Sequence, residues 1–70
     1  MTLETVDSSM IHAAGYDEDE RELEVIFKNG GVYRYENVDK EEYEGLMAAD
    51  SKGGYMRAHI IDMYPYHKVS

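Results

Sequence analysis

The stretch Lys28-Asn29-Gly30-Gly31-Val32-Tyr33-Arg34-Tyr35-Glu36 constrains the fold more than any other part of this chain. Asn-Gly followed by a second glycine, between apolar residues in alternation, is a strong short-range signal for a β-hairpin. Upstream, Leu23, Val25 and Phe27 alternate with Glu22, Glu24 and Lys28, the period of a strand with one buried face, broken only by Ile26. A two-residue loop at Asn29-Gly30 sets Phe27, Val25 and Leu23 opposite Val32, Arg34 and Glu36 and mixes charge into the apolar face. A three-residue loop Asn29-Gly30-Gly31, with Gly31 left-handed, sets Phe27 opposite Tyr33 and Val25 opposite Tyr35. It keeps one face apolar and places Glu24 opposite Glu36, a penalty of about 0.5 kcal/mol that burial of two rings outweighs. The three-residue loop is therefore expected, with Tyr33 and Tyr35 on the face of Val25 and Phe27.

Seventy residues make a single domain, 1–70, near the small end of what folds alone. Met1 to Val6 is expected to be loose or only partly ordered. Met10 to Tyr16 reads as a weak first strand because Ala13, Ala14 and Gly15 are poor strand formers. Asp39 and Glu42 form a capping-box pattern at the start of a first helix, flanked by Val38 and Tyr43 as a hydrophobic staple. Tyr43, Leu46 and Met47 make its apolar stripe, and Gly45 within it predicts close packing. Ser51 caps a second helix with Tyr55, His59, Ile60 and Met63 on one face, stopped by Pro65. Tyr66 to Val69 is either a short C-terminal edge strand or a segment lying across the domain.

The fold class is thus α+β: a three-stranded antiparallel meander, about Ser9 to Tyr16, Glu22 to Lys28 and Val32 to Asn37, with two helices packed on one face. The expected core is Ile11, Leu23, Val25, Phe27, Tyr33, Tyr35, Leu46, Met47, Tyr55 and Ile60.

Fifteen acids against seven bases give a net charge of −8, unevenly spread. Residues 17–24 carry six acids and Arg21, residues 36–44 carry five acids and Lys40, and residues 50–70 carry Lys52, Arg57 and Lys68 against two acids. Attraction to nucleic acid or to an anionic membrane is unfavourable over most of the surface, and any anion belongs to the last third. No cysteine is present, so no disulfide or zinc–thiolate site can staple the domain, which fits a cytoplasmic location. No apolar run reaches the roughly 18 to 20 residues that span a bilayer.

Chemical sites find little support. The acidic run from Asp17 lacks the glycine at loop position 6 and has Lys28 at position 12, against calcium. His59 and Asp62, at i and i+3, could ligate a metal with His12 or His67, but a histidine on an apolar helix face is usually packed or hydrogen-bonded. Ser8, Ser9 and Ser51 show no base and acid arrangement. No catalytic residue, metal or cofactor is assigned. Tyr33 and Tyr35 are either core rings or a stacking pair of the kind RNA-binding sheets use.

Ser8-Ser9-x-Ile11, Gly15-Tyr16-Asp17, the strand into Asn29-Gly30, Tyr33-x-Tyr35, Val38, Ser51-x-Gly53-x-Tyr55, Ile60 and Tyr64-Pro65-Tyr66 together resemble the KTSC domain. That small domain occurs alone in bacterial and phage-type proteins and at the C-terminus of some lysyl-tRNA synthetases. The resemblance runs from about Asp7 to Val69. It implies no established activity, and fusion to a synthetase suggests RNA binding. The family pattern places bases at the end of the second helix and in the tail, where this chain has Asp62, Met63 and His67, with Lys68 the only base.

Three functions are consistent with these residues. The favoured one is a non-catalytic module that binds a protein partner, or self-associates, through its C-terminal third. The second is an RNA-binding accessory domain, and the third is a small metal-dependent enzyme with no positive support. Binding is expected at Ser51, Lys52, Gly53, Gly54, Arg57, His67 and Lys68, with Tyr64 and Tyr66 as aromatic anchors or as cover for the sheet edge.

Overall fold

In the computed structural model, which describes residues 2–70, one antiparallel sheet carries all the strands in chain order. They are β1 (Leu3–Thr5), β2 (Ile11–Asp17), β3 (Glu22–Phe27), β4 (Val32–Tyr35) and β5 (Tyr66–Lys68). Between β4 and β5 the chain forms helix α1 (Lys40–Ala48) and a second helix, α2 (Lys52–Tyr55), which widens into a π-helical turn at Met56–Ile60. The α+β class with two helices is as expected, but the sheet has five strands rather than three. Both additions are three-residue edges. Leu3–Thr5, expected to be loose, pairs with Gly15 to Ala13, and the tail settles as an edge strand on β4. Met1 lies outside the described residues.

The hairpin has a three-residue loop, one position earlier than the sequence reading placed it. The Phe27 amide donates to Gly31 O at 2.8 Å and the Gly30 amide to Phe27 O at 2.9 Å, so the loop is Lys28-Asn29-Gly30. Gly30, not Gly31, takes the left-handed conformation, at φ 98°. The Asn29 side chain accepts from the Gly31 amide at 2.9 Å and fixes the turn. The register consequently slides by two residues: Val25 faces Tyr33, Leu23 faces Tyr35, and Glu24 faces Arg34. A two-residue slide preserves which face each side chain occupies, so both tyrosines do share the face of Val25 and Phe27. It also replaces the Glu24–Glu36 repulsion by an ion pair, with Arg34 Nε 2.7 Å from Glu24 and Nη1 3.4 Å from Glu22. Electrostatics on the open face decides between registers that the apolar face cannot distinguish.

Both helices pack on the face of Leu23, Val25 and Phe27. Ile11, Ala14, Leu23, Val25, Phe27, Tyr35, Val38, Leu46, Met56 and Ile60 form the core. Tyr33, Met47 and Tyr55, expected inside, are only half-buried, while Ala14, Val38 and Met56 are core residues the sequence reading missed. The second helix explains part of the difference. Its buried stripe is Gly53, Met56 and Ile60, and the Ile61 amide reaches back five residues to Met56 O at 2.7 Å. His59 and Met63, expected on that face, are exposed. His59 stacks on the Tyr55 ring at 4.4 Å instead.

The capping box does not form. Asp39 stands at the N-cap of α1 without a side-chain cap bond, because its carboxylate pairs with Arg21. Glu42 accepts from the hydroxyls of Tyr55 and, at 2.9 Å, Tyr64, tying α1 to the second helix and to the tail. Ser51 does cap the second helix, accepting from the Gly54 amide at 3.1 Å. Gly45 is closely packed as expected: a Cβ there would lie 2.9 Å from Tyr55 Cζ.

Candidate functional site

The bases sort themselves by partner. Arg21 pairs with Asp39, Arg34 with Glu24 and Glu22, and Lys40 Nζ lies 3.4 Å from Glu18 Oε1. Among the described residues, Lys28, Lys52, Arg57 and Lys68 have no carboxylate at ion-pair distance. Lys52 Nζ donates to Ala49 O at 2.9 Å, and Arg57 Nη1 lies 3.5 Å from the Met10 sulfur. Three of these four cations gather at the Lys28–Gly31 end of the sheet.

Topology brings them there. β3 ends at the hairpin turn, β4 leaves it, and β5 returns antiparallel to β4, so Lys68 and Ser70 finish beside the turn. The Val32 amide donates to Ser70 O at 3.0 Å and holds the tail in place. β2 starts at the same end, with Ile11 opposite Phe27 and the Lys28 amide donating to Met10 O at 2.9 Å. Two shallow clefts result. One, of about 340 Å³, is lined by Ser9, Met10, Phe27, Lys28, Asn29 and Arg57. The other, of about 350 Å³, is lined by Asn29, Gly30, Gly31, Tyr33, Lys68 and Ser70. They share Asn29. Both are shallow and open to solvent.

A third cleft of about 210 Å³ joins the first through Ser9 and is lined by Asp7, Ser8, Asp50, Ser51, Lys52 and Gly53. Here Asp7 and Asp50 offset Lys52, and the Ser51 hydroxyl is already the helix cap. Ser8 is likewise occupied, accepting from the Met10 and Ile11 amides at 3.1 and 3.2 Å. These serines hold backbone in place.

The residues singled out from sequence therefore divide. Arg57 and Lys68 line the two linked clefts, while Ser51, Lys52 and Gly53 sit in the charge-balanced one and Gly54 serves the cap. Tyr66 is half-exposed at the sheet edge, with its ring 5.7 Å from Tyr33 and 5.6 Å from Tyr35. Tyr64 lies apart, bonded to Glu42. His67 points to the opposite face, 3.5 Å from Glu36. Lys28, Asn29, Met10 and Phe27 were missed. Assigning Tyr66 to Val69 as a strand would have revealed them, because a meander puts its ends beside that turn.

The two motif tyrosines have different roles. Tyr35 is core, 4% exposed, and burial pushes its hydroxyl up to about 12, with smaller contributions from Tyr33, Tyr66 and Asp62. Tyr33 is half-buried, edge-on to Phe27 at 5.6 Å, and forms one wall of the Lys68 cleft. Phe27, Tyr33 and Tyr66 thus make an aromatic row flanked by Lys28, Arg57 and Lys68.

Among the described residues, no group of three or more His and acidic side chains could hold a metal ion, and no helix is long and apolar enough to cross a membrane. His59 and His67 are held by the Tyr55 ring and by Glu36, away from each other's contacts.

Comparison with known proteins fixes the family. The KTSC domain model matches residues 7–68. The chain belongs to the KTSC domain family. A crystal structure of a KTSC domain protein from Yersinia pestis superposes with a TM-score of 0.96 at 33% identity, covering 99% of this chain and 97% of that one. A protein of Tsukamurella paurometabola is 41% identical over 58 residues, 83% of this chain and 87% of its own length. An uncharacterized protein of Stutzerimonas stutzeri is 46% identical over 46 residues, 66% of this chain and 65% of its own. None of these similarities indicates a catalytic class. The KTSC match spans every strand from β2 to β5 and both helices, so all residues of the linked clefts except Ser70 lie within the shared domain.

Proposed function

We propose that this KTSC domain is a non-catalytic interaction module that holds an anionic segment of a partner protein at the hairpin end of its sheet. The observation that supports it is the placement of Lys28, Arg57 and Lys68, none with a carboxylate partner, around the row Phe27, Tyr33 and Tyr66. In a chain of net charge −8, with its other clefted base offset by Asp7 and Asp50, this is the region where an anion meets least repulsion. Aromatic residues beside unpaired bases are the composition enriched at recognition surfaces.

An RNA ligand is supported less. Tyr35 is core and the helices cover the face it shares with Tyr33, so the pair does not present an open stacking platform. Three bases also make few phosphate contacts.

A labelled oligoglutamate peptide, titrated against the full chain by fluorescence anisotropy, tests the proposal. Replacing Lys28, Arg57 and Lys68 together by Ala removes three exposed charges at about 0.5 to 1 kcal/mol each, a loss of about tenfold or more in affinity. The melting temperature should hardly move, since exposed substitutions stay within about 0.5 kcal/mol. Unchanged peptide binding in the triple variant, or submicromolar binding of tRNA at physiological salt, would overturn the reading.

A further inference from the structure

We infer that the partner segment binds as an added β-strand along the free edge of β5, with its acidic residues on the helix side of the sheet. This rests on the interaction reading above and specifies its geometry.

β5 is the last strand of the sheet, and Tyr66, His67 and Lys68 are all exposed. Its pairing with β4 fixes which backbone groups are spare. The Glu36 amide donates to Pro65 O at 2.8 Å, the Val69 amide to Val32 O at 2.7 Å, and Arg34 faces His67 midway between them. In an antiparallel ladder, bonded pairs alternate with unbonded ones. Pairs 36/65, 34/67 and 32/69 are the bonded set. Tyr66 and Lys68, opposite Tyr35 and Tyr33, therefore aim their amides and carbonyls outward. The edge offers two donors and two acceptors at the spacing an incoming strand needs.

Side chains at this edge choose the occupant. Tyr66 and Lys68 lie on the helix side, with Lys68 in the same cleft as Tyr33 and that cleft adjoining Lys28 and Arg57. His67 and the half-exposed Val69 lie on the other side. An added strand alternates its side chains in the same way. Carboxylates at alternate positions would meet Lys68 and its neighbours, and apolar residues between them would meet Val69. The opposite edge of the sheet is acidic by comparison: β1 carries Glu4, with Asp7 following. An acidic strand is therefore directed to β5. A second copy is disfavoured by its own charge of −8.

The probe is a labelled peptide alternating Glu and Val, titrated into the full chain, with two further versions N-methylated at every second amide in opposite phase. The unmodified peptide should bind and slow exchange of the Tyr66 and Lys68 amides. One methylated phase should lose about tenfold or more in affinity while the other binds as before, because only one phase faces the edge. Equal binding of both phases would overturn strand addition and leave the interaction reading standing, provided Arg57→Ala still weakens binding. Absence of binding by this peptide would overturn strand addition, and absence of oligoglutamate binding as well would remove the interaction reading. Protection of the Tyr66 and Lys68 amides without peptide, with a doubled mass in solution, would assign the edge to a second copy and overturn the inference.

Discussion

Replacing Gly45 by Ala should destabilise this domain although it improves the helix. Gly45 lies in the interior of α1, where alanine is favoured by about 1 kcal/mol on propensity alone. The added methyl meets Tyr55 across the helix pair: its carbon would lie 2.9 Å from Cζ and 3.3 Å from Cε2, and closer still to the hydroxyl oxygen. The ring cannot retreat freely. It stacks on His59 at 4.4 Å, and its hydroxyl is bonded to Glu42. Overpacking of this kind costs about 1 to 3 kcal/mol, to which the weakened hydrogen bond to a carboxylate adds about 1 kcal/mol. The net effect is a loss of about 1 to 3 kcal/mol, read in thermal denaturation as a fall of at least 4 °C for a domain of roughly this size. In a Tyr55→Leu background the Cε, Cζ and hydroxyl atoms are gone, so Gly45→Ala should become stabilising by about 1 kcal/mol. The sign reversal amounts to a coupling of about 2 to 4 kcal/mol between the two positions. If Gly45→Ala raises the melting temperature in the wild-type background, the close packing of α1 on Tyr55 is wrong.

Tyr35 and Tyr55 should hold their protons well above the ordinary tyrosine range. Tyr55 is pushed up to about 12, first by its hydrogen bond to Glu42, and Tyr35 reaches about 12 through burial, both against an ordinary value of 10.0. A raised folded-state value means the native state holds the proton more tightly, so this stability is fully present below pH 10 and lost as pH rises towards 12. Glu42→Gln should lower the Tyr55 value and leave Tyr35 high, because burial and not Glu42 raises it; an identical tyrosinate absorbance titration in both proteins would refute the assignment. Gly30→Ala forces an L-residue to φ 98° and should cost about 1 kcal/mol in urea denaturation, and a neutral effect would place the left-handed position elsewhere.

What could be read from the sequence followed the strength of the local pattern. The alternation Leu23, Val25, Phe27 fixed β3 and its buried face, and Ser51 and Gly45 carried their own physical reasons. The edges were not legible. Leu3-Glu4-Thr5 and Tyr66-His67-Lys68 are exposed throughout, so neither shows a buried-side period, and they become strands only because β2 and β4 offer free backbone to pair with. The capping box failed for a related reason. Asp39 and Glu42 fit each other locally, but Arg21 lies beside one, and Tyr55 and Tyr64 beside the other, and no short-range rule could know it. Met56 was missed because the stripe was drawn through Tyr55 and His59, whereas the buried face runs through Gly53, Met56 and Ile60, which share the i, i+3, i+7 helical spacing.

The candidate site illustrates a more general consequence of meander topology. Consecutive turns of an antiparallel sheet alternate between its two ends, so the loop after β2 and the loop after β3 cannot be neighbours. Here the first, Glu18 to Arg21, is dense with acids, and the second, Lys28 to Gly31, contains none. Chain order therefore separates the charge into poles that a count by sequence segment cannot show. Counting by segment placed the one tolerable anion site in the last third because Lys52, Arg57 and Lys68 lie there. The fold redistributes those residues: Lys52 goes to a cleft shared with Asp7 and Asp50, while Arg57 and Lys68 are joined by Lys28 from the middle of the chain. The recognition proposed for that pole depends on β5 being a strand at all. It is the same three-residue edge that carries Lys68 to the turn, sets Tyr66 against Tyr33, and leaves the outward amides of Tyr66 and Lys68 unpaired.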